Sequence, residues 1–374
     1  MERKIKIGII GLGNMGSGHA RNILSGQCPE IELTAAADVR PERLEKAKSE
    51  YPESVKLFSD AGAMLASGLI EACIVAVPHY DHPSYTTACL ERGIHVMVEK
   101  PICVYTAQAR EMLAAAKKSN AAFGVMFNQR TNPMYREMRR IVQSGEYGRI
   151  RRSNWIVTDW YRPQAYYDSG DWRATWAGDG GGVLLNQCPH QLDLWQWICG
   201  MPDRVDAHMH CGKWHDIETE DDVTAYVEYP GGGTGVFIAS TGDDPGTNRF
   251  EITMDRGKLL AENGRLLLWE LPEPEPVFSA KAQGAFSRQT PTVREIELQG
   301  DNPQHVGVLN AFAAHILRGG KMTAEGEEGL NSLMISNAIY LSSWLGRTVE
   351  LPVNEELYCE ELQKRINTSR YKKQ

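Results

Sequence analysis

The chain has 374 residues, 42% of them hydrophobic and 24% charged, with a formal net charge of −8. That length suits two domains better than one core. The acidic balance, with no basic stripe, argues against nucleic acid or an anionic membrane surface as partner, and no apolar run approaches the ~20 residues of a membrane span.

The opening "MERKIKIGII" places basic residues before apolar ones. Its apolar stretch is short and interrupted by Gly8, so it reads as a first β-strand rather than a signal peptide. The eight cysteines are scattered with no C-x-x-C pair, the pattern of reduced, mostly buried thiols in a cytoplasmic protein.

Directly after that strand, "GLGNMG" supplies Gly11-x-Gly13-x-x-Gly16 and leads into a helical pattern. In that context the glycines make a tight turn, let backbone approach a pyrophosphate and allow close helix–strand packing. The next strand, "IELTAAAD", ends in Asp38, placed to accept from an adenosine ribose hydroxyl, which favours NAD over NADP. Two alternatives stand beside this. Arg40 and Arg43 could turn toward a 2′-phosphate, and Asp38 could instead cap the helix opening at Pro41.

The alternation continues: "EACIVAVP" as a strand, "HPSYTTACLERG" as a helix, "IHVMVEKP" as a strand, "TAQAREMLAAAKKSN" as a helix and "AAFGVMFNQR" as a strand. Units of this kind predict a doubly wound parallel sheet of Rossmann type, with ligands beyond the carboxyl ends of its strands. The cofactor candidates are accordingly Gly11, Gly13, Asn14, Met15, Gly16, Asp38, Val39, Arg40, Val77, Pro78, His79, His82, Glu99, Lys100 and Asn128, with Arg130 a substrate candidate at the last strand end. Lys100 precedes Pro101, which biases it toward extended geometry aimed at the crevice.

From about residue 129 the pattern changes. A helix ("NPMYREMRRIVQSG"), a strand ("RIRRSNWIVTDWYRP") and an aromatic-rich loop ("QAYYDSGDWRATWAGDGGG") precede strands at 205–213, 222–230, 234–241, 247–255, 257–262 and 264–270. Strands without intervening helices predict a large, mainly antiparallel open sheet in a C-terminal α+β domain. Helices follow around 304–319 and 325–344, then a charged tail read as a surface helix. The expected division is residues 1–128 for the nucleotide domain, 129–352 for the substrate and oligomerisation domain, and 353–374 for the tail.

In "GGGVLLNQCPHQLDLWQW", Asn186, His190, Asp193 and Trp197 are spaced four, three and four apart, as on one helix face. Pro189 disrupts such a helix, which must start near Cys188 or bend there. The stripe is either a site wall or a satisfied core.

"GLGNMG", "EKP" at 99–101, "WR" at 172–173, the Gly180–Asp193 segment and the late "EGEEGLNSLMISNAIYLSSWLGRTVELP" together resemble the glucose–fructose oxidoreductase/inositol dehydrogenase family, Gfo/Idh/MocA, from about Lys4 to Pro352. The resemblance implies NAD(P)-dependent oxidation or reduction of a sugar or cyclic polyol. It also implies that Lys100 lies near the nicotinamide, that His190 is the acid/base, and that Trp172 and Arg173 reach the cofactor or brace the glycine run. Subunits of the family commonly pair through the open sheet face, so a homodimer or homotetramer is expected. Asn186 is a departure, because many members carry Asp there, and an amide cannot share a proton with His190.

The chemistry is consistent with these roles. Oxidising a secondary ring alcohol requires loss of the hydroxyl proton as hydride leaves carbon; histidine suits the proton transfer and a lysine ammonium the developing alkoxide. Tyr161, Arg162, Tyr167 and Trp176 in the aromatic loop are substrate candidates, each alternatively a packing residue; Asn186 is a candidate to bond a substrate hydroxyl, and Asp193 either orients the imidazole, binds a hydroxyl or is a structural cap. Two rival classes remain. One is a glycosidase that oxidises transiently with bound NAD, for which Tyr161, Asp168 and Asp171 are uncommitted acid/base groups. The other is a non-catalytic NAD sensor. His208, His210, Cys211 and His215 do not make a compact tetrahedral set, so no metal is expected, and "YPGGG" at 229–233 reads as a hairpin turn.

Overall fold

The structure, a computed structural model, describes residues 3–371. Its described residues divide into two compact units, one made of 3–131 with 302–333, the other of 132–301 with 334–371.

In the first unit, β1 (Ile5–Ile10), α1 (Asn14–Leu24), β2 (Ile31–Ala37), α2 (Pro41–Glu50), β3 (Lys56–Phe58), α3 (Ala61–Ala66), β4 (Ala72–Val75), α4 (His82–Glu91), β5 (His95–Val98), α5 (Thr106–Ala116) and β6 (Phe123–Val125) alternate along the chain. The six strands pair in parallel in the order β3-β2-β1-β4-β5-β6. Strands buried on both faces must be apolar throughout, and "IKIGII" and "ACIV" are nearly fully so. The order reverses between β1 and β4, the position where doubly wound sheets open a crevice.

The second unit begins with α6 (Pro133–Gln143), β7 (Ile150–Val157), α7 (Gln164–Tyr167), a π-helical turn (Val183–Gln187) and α8 (Pro189–Cys199). There follow β8 (Arg204–Cys211), β9 (Glu220–Glu228), β10 (Thr234–Ser240), β11 (Asn248–Met254), β12 (Gly257–Glu262), β13 (Arg265–Glu270), α9 (Glu275–Lys281) and β14 (Thr292–Glu295). With β15 (Val349–Glu350) at one edge, the sheet has nine strands in the order β14-β13-β12-β11-β7-β10-β9-β8-β15, antiparallel except for the pair of β7 and β10. One face is a core in which Trp155 stacks on Phe250 at 4.2 Å and Trp195 of α8 stacks on Phe237 at 5.4 Å. "YPGGG" is the β9–β10 turn, closed by the Tyr229 amide donating to the Gly233 carbonyl at 2.8 Å.

The chain then continues through α10 (Gln304–Arg318), α11 (Gly329–Leu345), β15 (Val349–Glu350) and α12 (Glu355–Thr368). Residues 302–333 belong to the first unit, whereas the sequence places them in one contiguous second domain. The reason is packing: Val308, Leu309, Phe312 and Ala313 of α10 join the core of Ile5, Ile7, Ile31 and Met97. The tail is a surface helix that buries one stripe. Tyr358 and Leu362 of α12 are buried, and the Arg365 guanidinium lies 4.0 Å over the Trp344 ring. Among the described residues no helix is long and apolar enough to cross a membrane.

Candidate functional site

The glycine turn after β1 is forced by space. Gly11 has φ +92°, and a Cβ there would meet the Ala76 carbonyl oxygen at 2.4 Å; a Cβ on Gly16 would meet the Gly11 carbonyl oxygen at 1.8 Å. Gly13 serves a different need. It is the N-cap of α1 and offers no capping side chain, so the first amides of the helix, from Asn14 and Met15 onward, keep their donors for an anion.

Asp38 is buried at the end of β2. Its carboxylate accepts from the Leu12 amide at 2.7 Å, the Arg40 amide at 2.9 Å and the Arg43 guanidinium at 3.1 Å. The N-cap of α2 is Arg40, so Asp38 is not that helix's cap. Three of about four acceptor positions are used, leaving one for a ribose hydroxyl. Arg43 is held by Asp38 instead of turning to a 2′-phosphate. Val39 and Arg40 are exposed beside it. These residues fit a dinucleotide with an unphosphorylated ribose.

At the end of β5, Glu99 is buried, takes a hydrogen bond from His19 Nε2 at 2.7 Å and accepts from the Lys100 amide at 3.1 Å. Burial alone would raise its pKa, but the His19 bond and charge, with Lys100 and His305, hold it down at about 2. His82 is buried with Nδ1 2.8 Å from the Pro101 carbonyl oxygen and Nε2 2.9 Å from that of Val77. It joins the turn after β4, with Pro78 and His79, to the turn carrying Lys100. Burial, then the charge of His79, lowers its pKa to about 4. Asn128 donates to Gln304, and the Arg130 guanidinium is buried against Glu328 at 2.5 Å. Arg130, a substrate candidate in the sequence, is therefore placed in an internal ion pair.

In the second unit the glycine run is shaped by Glu220. This fully buried carboxylate accepts from the Gly182 amide at 3.0 and 2.9 Å, the Leu184 amide at 2.9 Å and the Tyr340 hydroxyl at 2.7 Å. A Cβ on Gly181 would meet the Tyr340 oxygen at 2.1 Å, and one on Gly182 the Glu220 carbonyl oxygen at 2.0 Å. Burial pushes the Glu220 carboxyl up to about 7 despite those donors.

The π-helical turn then carries Asn186, and α8 starts at Pro189, where a missing N–H is harmless. The single helical face expected for all four polar residues holds only from His190 onward. His190 is 8% exposed and Asp193 1%. Asp193 accepts from Gln196 at 3.1 Å, and Trp197 is covered by the Arg139 guanidinium at 4.4 Å.

Asn186 donates to Asp179 at 3.0 Å and accepts from the Tyr166 hydroxyl at 3.4 Å. That hydroxyl in turn accepts from Arg173 at 3.1 Å and Gln187 at 3.4 Å. Arg173 also lies 4.6 Å over the Trp172 ring. Of the loop candidates, Tyr161 is exposed and Arg162 half-buried. Tyr167 and Trp176 point into the unit's interior: the Tyr167 hydroxyl meets Thr241 Oγ1 at 2.8 Å, and Trp176 packs edge-on against Tyr340 and Trp344. His208 and His210 are exposed on β8, while His215 is bonded to Asp221 at 3.0 Å.

His19, Tyr166, Asp179, Glu220 and Tyr340 were not singled out by sequence. Tyr166 and Asp179 offered a signal, lying in the aromatic loop already marked; His19, Glu220 and Tyr340 are fixed by distant partners.

Residues 5–127 match the oxidoreductase family with NAD-binding Rossmann fold, and residues 135–260 match the GFO/IDH/MocA C-terminal domain. The myo-inositol 2-dehydrogenase of Thermotoga maritima is 23% identical over 93% of this chain and 98% of its own length. The D-glucoside 3-dehydrogenase of Escherichia coli K12 is 24% identical over 93% and 97%. A 1-carboxy-3-chloro-3,4-dihydroxycyclohexa-1,5-diene dehydrogenase of Comamonas testosteroni is 26% identical over 61% of this chain and 56% of its own length. Among solved structures, the WlbA dehydrogenase of Bordetella pertussis in complex with NADH and UDP-GlcNAcA superposes with a TM-score of 0.81, 26% identity and coverage of 95% and 99%. A levoglucosan dehydrogenase in complex with NADH and L-sorbose shares the fold at a TM-score of 0.76 and 19% identity, over 94% and 99%. With matched domains spanning more than half of its length, and with the glycine turn and Asp38 arranged for the cofactor, this chain belongs to the Gfo/Idh/MocA family of NAD-binding oxidoreductases.

Proposed function

We propose that this protein is an NAD-dependent dehydrogenase that oxidises a secondary ring hydroxyl of a sugar, glycoside or inositol. The observation that carries the reading is the anchoring of Lys100. It follows Glu99, which His19 fixes at 2.7 Å, at the end of β5, on the same sheet edge as the glycine turn and Asp38. Inositol, glucoside and levoglucosan dehydrogenases among the relatives support the substrate class.

In this reading the bound nicotinamide accepts the hydride. His190 takes the hydroxyl proton at an imidazole nitrogen, and the Lys100 ammonium stabilises the developing alkoxide. Glu99 and His82 hold the backbone on either side of Lys100. Asn186 acts as a hydrogen-bonding residue rather than a base, because its amide is tied to Asp179 and Tyr166. Trp172 and Arg173 brace the loop around Tyr166. We assign the sheet face bearing Ile156, Ile238 and exposed Tyr226 to pairing of copies into a homodimer or homotetramer.

The test is incubation with NAD and a panel of inositols, free hexoses and aryl glycosides, followed by absorbance of reduced nicotinamide. Stoichiometric NADH on one ring class is the expected result. Glycoside cleavage without NADH accumulation would transfer the protein to the transient-oxidation class. Tight NAD binding with silence across the panel would leave a sensor.

A further inference from the structure

Among the described residues of the second unit, half-buried arginines fall into those paired with a carboxylate and those that are not. Arg249, Arg256 and Arg365 each meet a glutamate, and Arg139 donates to the Trp197 carbonyl while covering its ring. Arg162 and Arg173 have no carboxylate at ion-pairing distance among the described residues. Both nevertheless lie over one ring, that of Tyr166, with their central carbons 5.1 and 4.7 Å from its centroid.

Each guanidinium carries five N–H donors in a rigid fork. Arg173 commits two, to Ser169 Oγ at 3.0 Å and the Tyr166 hydroxyl at 3.1 Å. Arg162 commits a side-chain donor to the Tyr161 carbonyl at 2.9 Å. The other donors on both forks meet no protein acceptor among the described residues. The acids of the same loop do not compensate: Asp168 accepts from Gln164, and both it and Asp171 are exposed. Two cations set on one ring repel each other unless an anion comes between or beside them.

Tyr166 also fixes where this charge sits. Its hydroxyl is bonded to Asn186 and Gln187 on the π-helical turn, four and three residues before His190. We propose that Arg162 and Arg173 form a subsite for an anionic substituent of the ring substrate, so that the preferred substrate is a sugar or cyclic polyol carrying one carboxylate or phosphate. A neutral inositol or hexose offers these forks only hydroxyl acceptors and no charge to match theirs. A carboxylate or phosphate matches an arginine fork with two parallel bonds.

The inference rests on the dehydrogenase reading for turnover but not for binding, and the test separates the two. Methyl β-D-glucoside, methyl β-D-glucuronide and methyl β-D-glucoside 6-phosphate present one ring with no charge, a carboxylate or a phosphate. Each is titrated calorimetrically into NADH-loaded protein, and each is assayed with NAD for kcat/KM. At least one anion is expected to bind at least tenfold more tightly than the neutral ring, and comparison of the two identifies the anion. Added salt should weaken that preference. Arg162→Gln and Arg173→Gln should each cut it at least tenfold, while Arg173→Lys should restore part of it, which a purely packing role would not. Failure of both anions to outbind the neutral ring, or a preference unchanged in both glutamine variants, overturns the subsite whatever the turnover. Anion preference without any NADH formation would instead retain the subsite and defeat the dehydrogenase reading.

Discussion

The Tyr340 hydroxyl donates to Glu220 Oε1 at 2.7 Å, tying α11 to the carboxylate that also holds the Gly182 and Leu184 amides. The bond joins residues 120 positions apart and sets the start of the turn that leads to His190. Gly181 and Gly182 are glycines because Tyr340 and Glu220 come this close. Gly182→Ala should therefore destabilise the protein by about 2 kcal/mol or more, the scale of overpacking against backbone. Urea denaturation checks this, and a loss below the usual surface range would be inconsistent with the packing described.

Glu220 and Glu99 are both buried and shifted in opposite directions, which gives opposite pH signatures. Burial raises the Glu220 pKa from 4.5 to about 7, so the stability its proton provides is fully present below pH 4.5 and is lost as pH rises toward 7. Relative to Glu220→Gln, the wild type should lose about 3 kcal/mol across that window. The Glu99 pKa falls to about 2, so its contribution is present above pH 4.5 and lost as pH drops toward 2. Glu99→Gln should flatten the acid limb, and chemical denaturation across pH reads both. A wild-type-minus-variant difference independent of pH would contradict either assignment.

His19→Ala removes the 2.7 Å partner of Glu99 and leaves that carboxylate buried. A loss of about 1–3 kcal/mol is expected, the range for a buried acceptor deprived of its donor. It should be accompanied by lower kcat, because Lys100 follows Glu99 directly. Unchanged stability would mean that Glu99 is held by other groups.

Asp38→Ala should raise the NADH dissociation constant at least tenfold and narrow the preference over NADPH, since it removes a ribose acceptor and releases Arg43 from its 3.1 Å pair. Fluorescence titration with both cofactors measures it. Equal weakening for NADH and NADPH would show that Arg43 plays no part in the discrimination.

What could be read in advance was local. The glycine turn, Asp38 and the strand–helix alternation are written in short spacings and in apolar runs, which dictate period and turn geometry directly. What could not be read lies in long-range pairs: His19 with Glu99 across 80 positions, Arg130 with Glu328 across 198, Tyr166 with Asn186 across 20 within an irregular loop. No periodicity marks such partners. Arg130 looked like a strand-end ligand because its distant glutamate was invisible, and Asn186 looked helical because a π-helical turn and an α-helix share similar offsets. The return of α10 to the first core was equally hidden, since its apolar face says that it packs but not on what.

The central claim is that His190 and Lys100 carry the proton and charge of a hydride transfer. It is tested most directly by kcat/KM for the best ring substrate in His190→Ala and Lys100→Ala, with NADH affinity measured alongside. The account predicts a loss of at least ~10²-fold in each variant with cofactor affinity nearly unchanged for His190→Ala. A His190→Ala enzyme retaining activity close to that of the wild type would contradict it.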